Sequence, residues 1–166
     1  PTVYEDERGC FFESYNSILR DLMNADIVQE NHSVSNKDVL RGLHYQWDKP
    51  MGKLCRAVRG RLMDYVVDIR KDSETYGKHD FFLLTAENQQ QLWIPPGFAH
   101  GFVALEDDTH LVYKCTAGYN KDCEGSIDPF DDELGIMYPI FRQQAIMSDK
   151  DKNAQSFADY KKDPKF

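Results

Sequence analysis

The sequence predicts an all-β domain, a sandwich or barrel of short strands with short helices at its edges. Nine tyrosines and ten phenylalanines are more typical of strands than of helical bundles. Apolar runs also recur at short intervals with turn residues between them, as in an all-β domain. A chain of 166 residues can bury a core, so we expect one domain over residues 1–166.

The first predicted element is a helix that begins after Asn16, a suitable cap. Its apolar stripe is Ile18, Leu19, Leu22 and Met23. Strands are predicted over 40–46, 54–59, 61–69, 81–84, 91–94, 101–105 and 111–115. Turn residues separate them at Gly60, at 74–77, at 95–97 and in the acidic run 106–108. A last short helix is predicted with Ser148 as its cap and with Ala154, Phe157 and Ala158 as packing residues.

Charge and cysteine content limit the class of function. The net charge is −8, which argues against sequence-independent nucleic-acid binding but leaves room for a local basic cluster that binds a small anion. No apolar run is long enough to span a bilayer, so we expect no membrane segment. The four cysteines form no C-x-x-C pair, and we expect them to be reduced in a cytoplasmic protein. The chain starts at Pro1, so further residues are expected before it.

The segment Leu40–Gln46 combines an arginine, a histidine, a tyrosine and a glutamine within one predicted strand. Strand alternation puts His44 and Gln46 on one face with Leu40, and Arg41, Leu43 and Tyr45 on the other, unless Gly42 introduces a bulge. A strand of this kind can form the wall of a pocket or a solvated edge, and the segment alone does not separate the two.

A second histidine, His100, follows the rigid turn Pro95-Pro96-Gly97. His44 and His100 together suggest a metal-binding cupin, a double-sheet jelly roll. The position two residues after His44 is Gln46, however, and no acidic ligand follows at the usual interval. Two histidines without a carboxylate make a weak metal site, so we expect no metal.

Without a metal, His44 is a candidate general base, because histidine exchanges protons near neutral pH. A base needs an acceptor that orients its ring, and Asp151 is a candidate, although its place three residues after Ser148 suits the first turn of a helix, and the residues alone favour that local role. Lys53, Tyr113 and Tyr119 are individually unremarkable as a surface lysine and two structural tyrosines.

These motifs together resemble the dTDP-4-dehydrorhamnose 3,5-epimerase family. The resemblance runs through residues 6–14, 29–33, 40–46, 52–54, 67–70, 91–102, 113–114, 134–136 and 148–151. It implies a metal-free, cofactor-free cupin jelly roll (a double-stranded β-helix) that forms a homodimer, often with strands exchanged between subunits. The implied reaction inverts the carbons that flank the C4 ketone of a nucleotide-diphosphate-linked 4-keto sugar.

The resemblance also assigns roles to residues. His44 matches the base, Asp151 its dyad partner, Tyr113 the acid on the opposite face, and Lys53 the residue that stabilises the enolate oxygen. Substrate-binding positions are implied for Arg8, Glu13, Gln29, Asn31, Arg41, His100 and Tyr119. Residues 47–51 depart from the usual family pattern, which leaves open a dTDP- or GDP-linked sugar, a hexose or a heptose, and inversion at C3, C5 or both.

Two rival hypotheses belong to other classes. The first is a metal-dependent cupin enzyme that uses His44 and His100. The second is a catalytically silent binder of sugar nucleotides, which would have no use for an opposed base and acid.

Overall fold

The structure is a computed structural model that describes residues 1–166, and it consists mainly of antiparallel strands. The strands are β1 (Tyr4–Asp6), β2 (Gly9–Phe11), β3 (Gln29–Ser35), β4 (Leu40–Gln46), β5 (Lys53–Arg59), β6 (Arg61–Asp68), β7 (His79–Thr85), β8 (Leu92–Ile94), β9 (Phe98–Ala104), β10 (Thr109–Cys115) and β11 (Glu124–Ser126). The helices are α1 (Ser17–Met23), α2 (Asp149–Lys152) and α3 (Phe157–Tyr160), with a 3₁₀ turn at Lys121–Cys123. The predicted all-β class is confirmed.

Two sheets form the body of the fold. One has the strand order β3-β10-β5-β8 and the other β11-β4-β9-β6-β7, while β1 and β2 form a separate hairpin. Strands that are distant in sequence lie side by side, as in a jelly roll: β10 lies between β3 and β5, and β9 lies between β4 and β6.

The seven predicted strands all exist, and β4 has the bounds predicted for it. The other six differ at one or both ends by one to three residues, and the largest difference is in β9, which begins at Phe98 rather than at Gly101. Strands β1, β2, β3 and β11 were not predicted. Three of these four have only three residues, too few for an alternating pattern to be recognised.

The faces along β4 follow the exception that the sequence allowed at Gly42: a bulge there reverses the alternation expected for the first two positions. The pairing with β9 shifts register between Arg41 and His44, at Gly42. Gly42 has a φ of +130°, and a Cβ there would lie 2.4 Å from the Cα of Gly101. This bulge places Leu40 in one apolar cluster with Leu43 and Tyr45. Arg41 instead shares a face with His44.

Two apolar clusters stabilise the fold. The smaller lies between the sheets and is formed by Cys55, Ala57, Leu62, Leu84, Ile94, Phe102 and Leu111. The larger covers the outer face of the five-stranded sheet, where residues of β4, β6 and β9 pack against Ile127, Leu134, Met147, Phe157 and Tyr160 of the C-terminal segment. This packing holds α2 next to β4.

The predicted helices need two corrections. Helix α1 begins after Asn16 as predicted, and the Asn16 side chain accepts a hydrogen bond from the Leu19 amide. Of its apolar stripe only Met23 is buried, while Ile18 and Leu22 are exposed. The last predicted helix is two helices: Ser148 caps α2, and Ser156 caps α3, because the chain bends between them to pair Gln155 with Ile127. Phe157 is buried as predicted.

No helix of the chain combines the length and apolar character needed to cross a bilayer. All four cysteines are free thiols, with Cys10 exposed and Cys55, Cys115 and Cys123 buried.

Candidate active site

The inner face of the four-stranded sheet carries two rows of polar side chains. In the first row Tyr113 of β10 lies between Asn31 of β3 and Cys55 of β5. Two residues further along, Cys115 lies between Gln29 and Lys53. Residues two apart share a face, and Cys55 belongs to the cluster between the sheets, so all six point inward.

The facing sheet contributes histidines and carboxylates. His44 of β4 lies directly opposite His100 of β9, and on its other side opposite Ser126 of β11. Asp64 of β6 lies opposite Phe102, two residues from His100 and therefore on the same face. Phe102 also belongs to the cluster between the sheets, so this face too is the inner one. Candidate catalytic residues thus occur on both inner walls of the jelly roll.

His44 and Asp151 form the shortest functional contact. The Nε2 atom of His44 lies 2.6 Å from Oδ1 of Asp151, although the two residues are 107 positions apart. The Asp151 side chain is 4% exposed and that of His44 is 27% exposed. Burial raises the pKa of Asp151, but hydrogen bonds from His44, Ser148 and the Gly42 amide outweigh it and hold the pKa below its ordinary value. Asp151 is therefore an anion at neutral pH.

This contact determines which nitrogen of His44 can act as a base. A carboxylate only accepts hydrogen bonds, so the Nε2 atom of neutral His44 carries the proton. The Nδ1 atom then holds the free lone pair, and no protein group bonds to it. When Nδ1 takes a proton, the Asp151 carboxylate stabilises the resulting imidazolium.

Lys53 faces this histidine from the other sheet. Its ammonium makes no hydrogen bond or ion pair within the chain. Burial lowers the pKa of Lys53, although the nearby Cys55 and Cys115 thiols and the Asp64 carboxylate act in the opposite direction. A buried cation without a partner is suited to an oxygen of a bound molecule that carries or develops negative charge.

A cavity joins the two walls. Its lining includes His44, Lys53, Tyr119 and Glu124, together with Gln46. The Tyr119 hydroxyl donates to Oε2 of Glu124 at 3.0 Å, and Lys150 forms an ion pair with the same carboxylate. Burial raises the pKa of Glu124, but the hydrogen bonds from Lys150 and Tyr119 outweigh it and keep the pKa below its ordinary value.

Gln46 and Gln29 position the loop that carries Tyr119. The Gln46 amide donates to the carbonyl of Gly118 and accepts from the Asn120 amide. The Tyr119 amide donates to Gln29. Three contacts to consecutive residues hold Tyr119 over the cavity, so Gln46 anchors the loop.

His100 has a buried carboxylate partner of its own. Its Nε2 atom lies 2.9 Å from Oδ1 of Asp64 and 4.0 Å from Sγ of Cys55. Burial lowers the pKa of His100, while the Asp64 charge raises it, and the net shift is downward. Cys55, Asp64 and His100 form a buried group of metal-ligand type, with ligand atoms within 4.8 Å of one another.

Tyr113 and Arg41 stand near the other end of the site. Burial raises the pKa of Tyr113, and the Asn31 side chain and the Arg41 charge act against it. Tyr113 therefore keeps its phenolic proton at neutral pH, as a general acid requires. Arg41 donates from Nε to Oγ of Ser35 at 3.2 Å and from Nη2 to the Val34 carbonyl at 3.3 Å, and the residue is exposed.

The structure does not bring Arg8 and Glu13 to this site. Arg8 lies on the β1–β2 hairpin, where it pairs with Asp6 at 2.5 Å and its side chain is 86% exposed. Glu13 accepts a hydrogen bond from Asn16 at 2.6 Å. The other predicted site residues (His44, Tyr113, Asp151, Lys53, Gln29, Asn31, Arg41, His100 and Tyr119) line the interior of the fold or its mouth.

Sequence reasoning missed Asp64 and Glu124. Asp64 lies within an apolar strand pattern, and a carboxylate that is buried there needs a partner. An aspartate in such a pattern is a signal that could have identified it. Glu124 lies on a strand of only three residues and has no recognisable pattern around it.

Comparison with known proteins gives consistent matches. The sequence profile of the family described as dTDP-4-dehydrorhamnose 3,5-epimerase matches residues 1–159. A dTDP-4-dehydrorhamnose 3,5-epimerase of Shigella flexneri is 47% identical over 163 residues, which cover 96% of this chain and 89% of that protein.

Solved structures agree. A dTDP-6-deoxy-D-glucose-3,5-epimerase of Legionella pneumophila, in complex with dTDP-4-keto-L-rhamnose, has a TM-score of 0.89 and 42% identity, and covers 94% of this chain and 84% of its own. ChmJ, a 3'-monoepimerase of Streptomyces bikiniensis in complex with dTDP-quinovose, has a TM-score of 0.90 and 33% identity, with coverage of 98% and 83%. The predicted cupin jelly roll is confirmed by this agreement in fold.

Proposed function

The chain belongs to the dTDP-4-dehydrorhamnose 3,5-epimerase family, and from this premise we propose that it is an isomerase that inverts C3 and C5 of a dTDP-linked 4-keto-6-deoxy sugar. The observation that carries the proposal is the pair of His44 and Asp151 on one wall of the cavity, with Lys53 and Tyr113 on the facing wall. Inversion at carbons next to a ketone can use all four groups: a base and its carboxylate partner on one side, and an acid and a cation for the enolate oxygen on the other.

The first step is removal of a proton by His44. The proton on a carbon next to the C4 ketone passes to Nδ1, and the electron pair of the broken C–H bond moves onto the ketone oxygen to give an enolate. Asp151 holds the ring through Nε2 and stabilises its positive charge. A positioned base of this kind accelerates a reaction by roughly 10²–10⁴.

The enolate oxygen needs a partner, and we assign this role to Lys53. Its ammonium has no anionic partner inside the chain, and the burial that lowers its pKa also strengthens its attraction for a new negative charge. Loss of one preorganised donor of this type typically lowers kcat by roughly 10²–10³.

Inversion requires that the proton return from the opposite side. Tyr113 belongs to the wall that faces His44 and holds its phenolic proton at neutral pH. The phenol gives its proton to the carbon, and the enolate electrons form the new C–H bond. Solvent then restores the proton of the phenolate and takes the proton that His44 had removed. A single base could remove and replace a proton but would return it to the same face.

Binding of the nucleotide diphosphate requires cations in a chain of net charge −8. Arg41 at the mouth is one: the residue is exposed, and its Nη1 group makes no hydrogen bond within the chain and can donate to a phosphate. Tyr119 offers a ring to the base. The dTDP nucleotide is preferred over GDP because the relatives described above are named for dTDP sugars.

Arg8 and Glu13 can contribute to a site only if that site belongs to a second subunit. Both lie away from their own cavity, on or next to the exposed hairpin β1–β2. We propose a homodimer in which this hairpin of one subunit reaches the cavity mouth of the other and Arg8 contacts the diphosphate.

Four free thiols fit a reducing compartment, and we place the enzyme in the cytoplasm.

Proton NMR in D₂O with dTDP-4-keto-6-deoxyglucose tests the reaction. We expect loss of both the C3 and the C5 proton signals. His44→Ala should abolish exchange, and Tyr113→Phe should allow exchange but prevent inversion. His79→Ala and Tyr76→Phe, two variants outside the cavity and the hairpin, should behave as wild type. Full activity of folded His44→Ala would refute the assignment, and exchange at C3 alone would mean a monoepimerase.

The metal-dependent alternative has one observation in its favour, the buried group of Cys55, Asp64 and His100. Elemental analysis of protein purified without chelators decides it. Stoichiometric iron, manganese or zinc, and loss of activity on its removal, would replace the acid–base scheme. The silent-binder alternative predicts tight dTDP-sugar binding without solvent exchange.

A further inference from the structure

A second histidine pair lies on the outer face of the four-stranded sheet, away from the cavity. The Nε2 atom of His32 lies 2.9 Å from Nδ1 of His110, and the Nε2 atom of His110 lies 2.9 Å from Oδ1 of Asp108. His32 is flanked on β3 by Asn31 and Ser33, which point inward, so alternation directs its own side chain outward. The pair therefore takes no part in the proposed reaction.

Asp108 determines the tautomer of this pair. The carboxylate accepts from His110, so Nε2 of His110 carries a proton and Nδ1 holds a lone pair. The Nε2–H group of His32 then donates to that lone pair. Arg59 forms an ion pair with the other oxygen of Asp108 at 2.9 Å, which holds the carboxylate in place. A carboxylate–histidine arrangement of this kind is how proteins orient metal-binding imidazoles.

We propose that His32 and His110 form a surface site for a divalent transition metal, with Asp108 as the residue that orients His110. The metal takes the place of the proton between the two rings. His32 moves its proton from Nε2 to Nδ1, which makes no hydrogen bond in the structure, and a rotation of this exposed ring turns the freed lone pair toward the ion. Solvent completes the coordination.

The ligand type selects the class of metal. Imidazole nitrogens suit Cu²⁺, Ni²⁺ and Zn²⁺, and the affinity of a given site for divalent ions generally rises through Ni²⁺ to Cu²⁺ and falls again at Zn²⁺. The His32 ring turns when the ion binds, so the 2.9 Å separation in the hydrogen bond does not fix the angle at the ion. We therefore expect Cu²⁺ to bind most tightly.

Isothermal titration of the full chain with Ni²⁺ tests the site, and Ni²⁺ avoids oxidation of the exposed Cys10 thiol. We expect one ion per chain, with binding lost in His32→Ala and in His110→Ala. Asp108→Asn should weaken binding by about tenfold, since it keeps the size of the side chain but not its charge. His79→Ala should bind as wild type, because this half-buried histidine forms no ion pair.

Two results would overturn the proposal. One is unchanged binding in the His32→Ala/His110→Ala double variant, which would place the ion elsewhere, for example at Cys55, Asp64 and His100. The other is the absence of Ni²⁺ binding to the wild-type chain. Melting temperatures without metal check that the variants fold, and epimerase activity should be the same in all of them.

Discussion

Replacement of Asp151 by asparagine is the sharpest test of the proposed base. The side chain keeps its size, but the 2.6 Å contact with His44 loses its charge. The imidazolium formed on proton removal then has no carboxylate to stabilise it, and the amide can present its NH₂ group to the ring and so favour the wrong tautomer. We expect kcat to fall by about 10²–10⁴, or roughly 3–5 kcal/mol of transition-state stabilisation, with little change in KM.

The same substitution has an effect on stability with a defined sign. The pKa of Asp151 is below its ordinary value in the folded chain. Its stabilising contribution is therefore present above about pH 3.9, the ordinary pKa of aspartate, and is lost as the pH falls through the lowered pKa. Asp151→Asn should cost about 1–3 kcal/mol at pH 7, and less at pH 3.

The assay is single-turnover conversion of the 4-keto sugar followed by NMR, with urea denaturation at both pH values. Asp149→Asn is the matched control, because Asp149 belongs to the same helix but is exposed. A folded Asp151→Asn enzyme with kcat within about threefold of wild type would refute the reasoning, since no histidine base that depends on its carboxylate loses so little.

Three further outcomes follow from the structure. Burial lowers the pKa of Lys53, so kcat should decline as the pH rises through that lowered pKa. The Lys53→Arg enzyme, measured between pH 6 and 10, should be slower but should not show this decline. A decline of the same shape in both enzymes would contradict the proposed role of Lys53. Gly42→Ala should lower the free energy of unfolding by about 2–4 kcal/mol in chemical denaturation, because its Cβ would lie 2.4 Å from Gly101 and its φ is +130°. Gly118→Ala is the control: the glycine has open space around it, so stability should change little. Asp68 accepts hydrogen bonds from Arg70, Ser73 and Thr75, which keep its pKa below the ordinary value despite burial. The Asp68→Asn variant should therefore lose about 2–4 kcal/mol of unfolding free energy at pH 7 and less below pH 4. An equal loss at both pH values would contradict the charge-based explanation.

Strand positions were predictable because a half-buried strand needs its apolar residues at every second position. The sequence therefore located β4 to β10 within a few residues. At Gly42 it left open whether a bulge interrupts the alternation, because alternation has no information about a close approach to Gly101, and only the structure shows the residue inserted into the pairing. It also joined α2 and α3 into one helix, since the bend at Gln155 depends on pairing with Ile127, which is 28 residues earlier.

The candidate site was predictable mainly through a resemblance of motifs. The residues alone favoured a local role for Asp151 in the first turn of the helix that Ser148 caps, and the structure shows that Asp151 also contacts His44. Helix α2 is held next to β4 by the apolar packing of the C-terminal segment, so this contact depends on tertiary structure. The exposed stripe of α1 likewise shows that helical spacing of apolar residues does not ensure burial within one chain.

The sequence by itself determined the fold class, the order of most strands and the residue types available for acid–base chemistry, because these depend on local patterning and composition. Only the tertiary structure decided which residues meet: His44 with Asp151 of α2, His100 with Asp64 of the neighbouring strand, and Lys53 on the sheet opposite both histidines. The two histidine–carboxylate contacts join residues 107 and 36 positions apart, and they form because the C-terminal segment packs against β4 and because β6 pairs with β9. Residues that close the same cavity from opposite walls leave no common pattern along the chain.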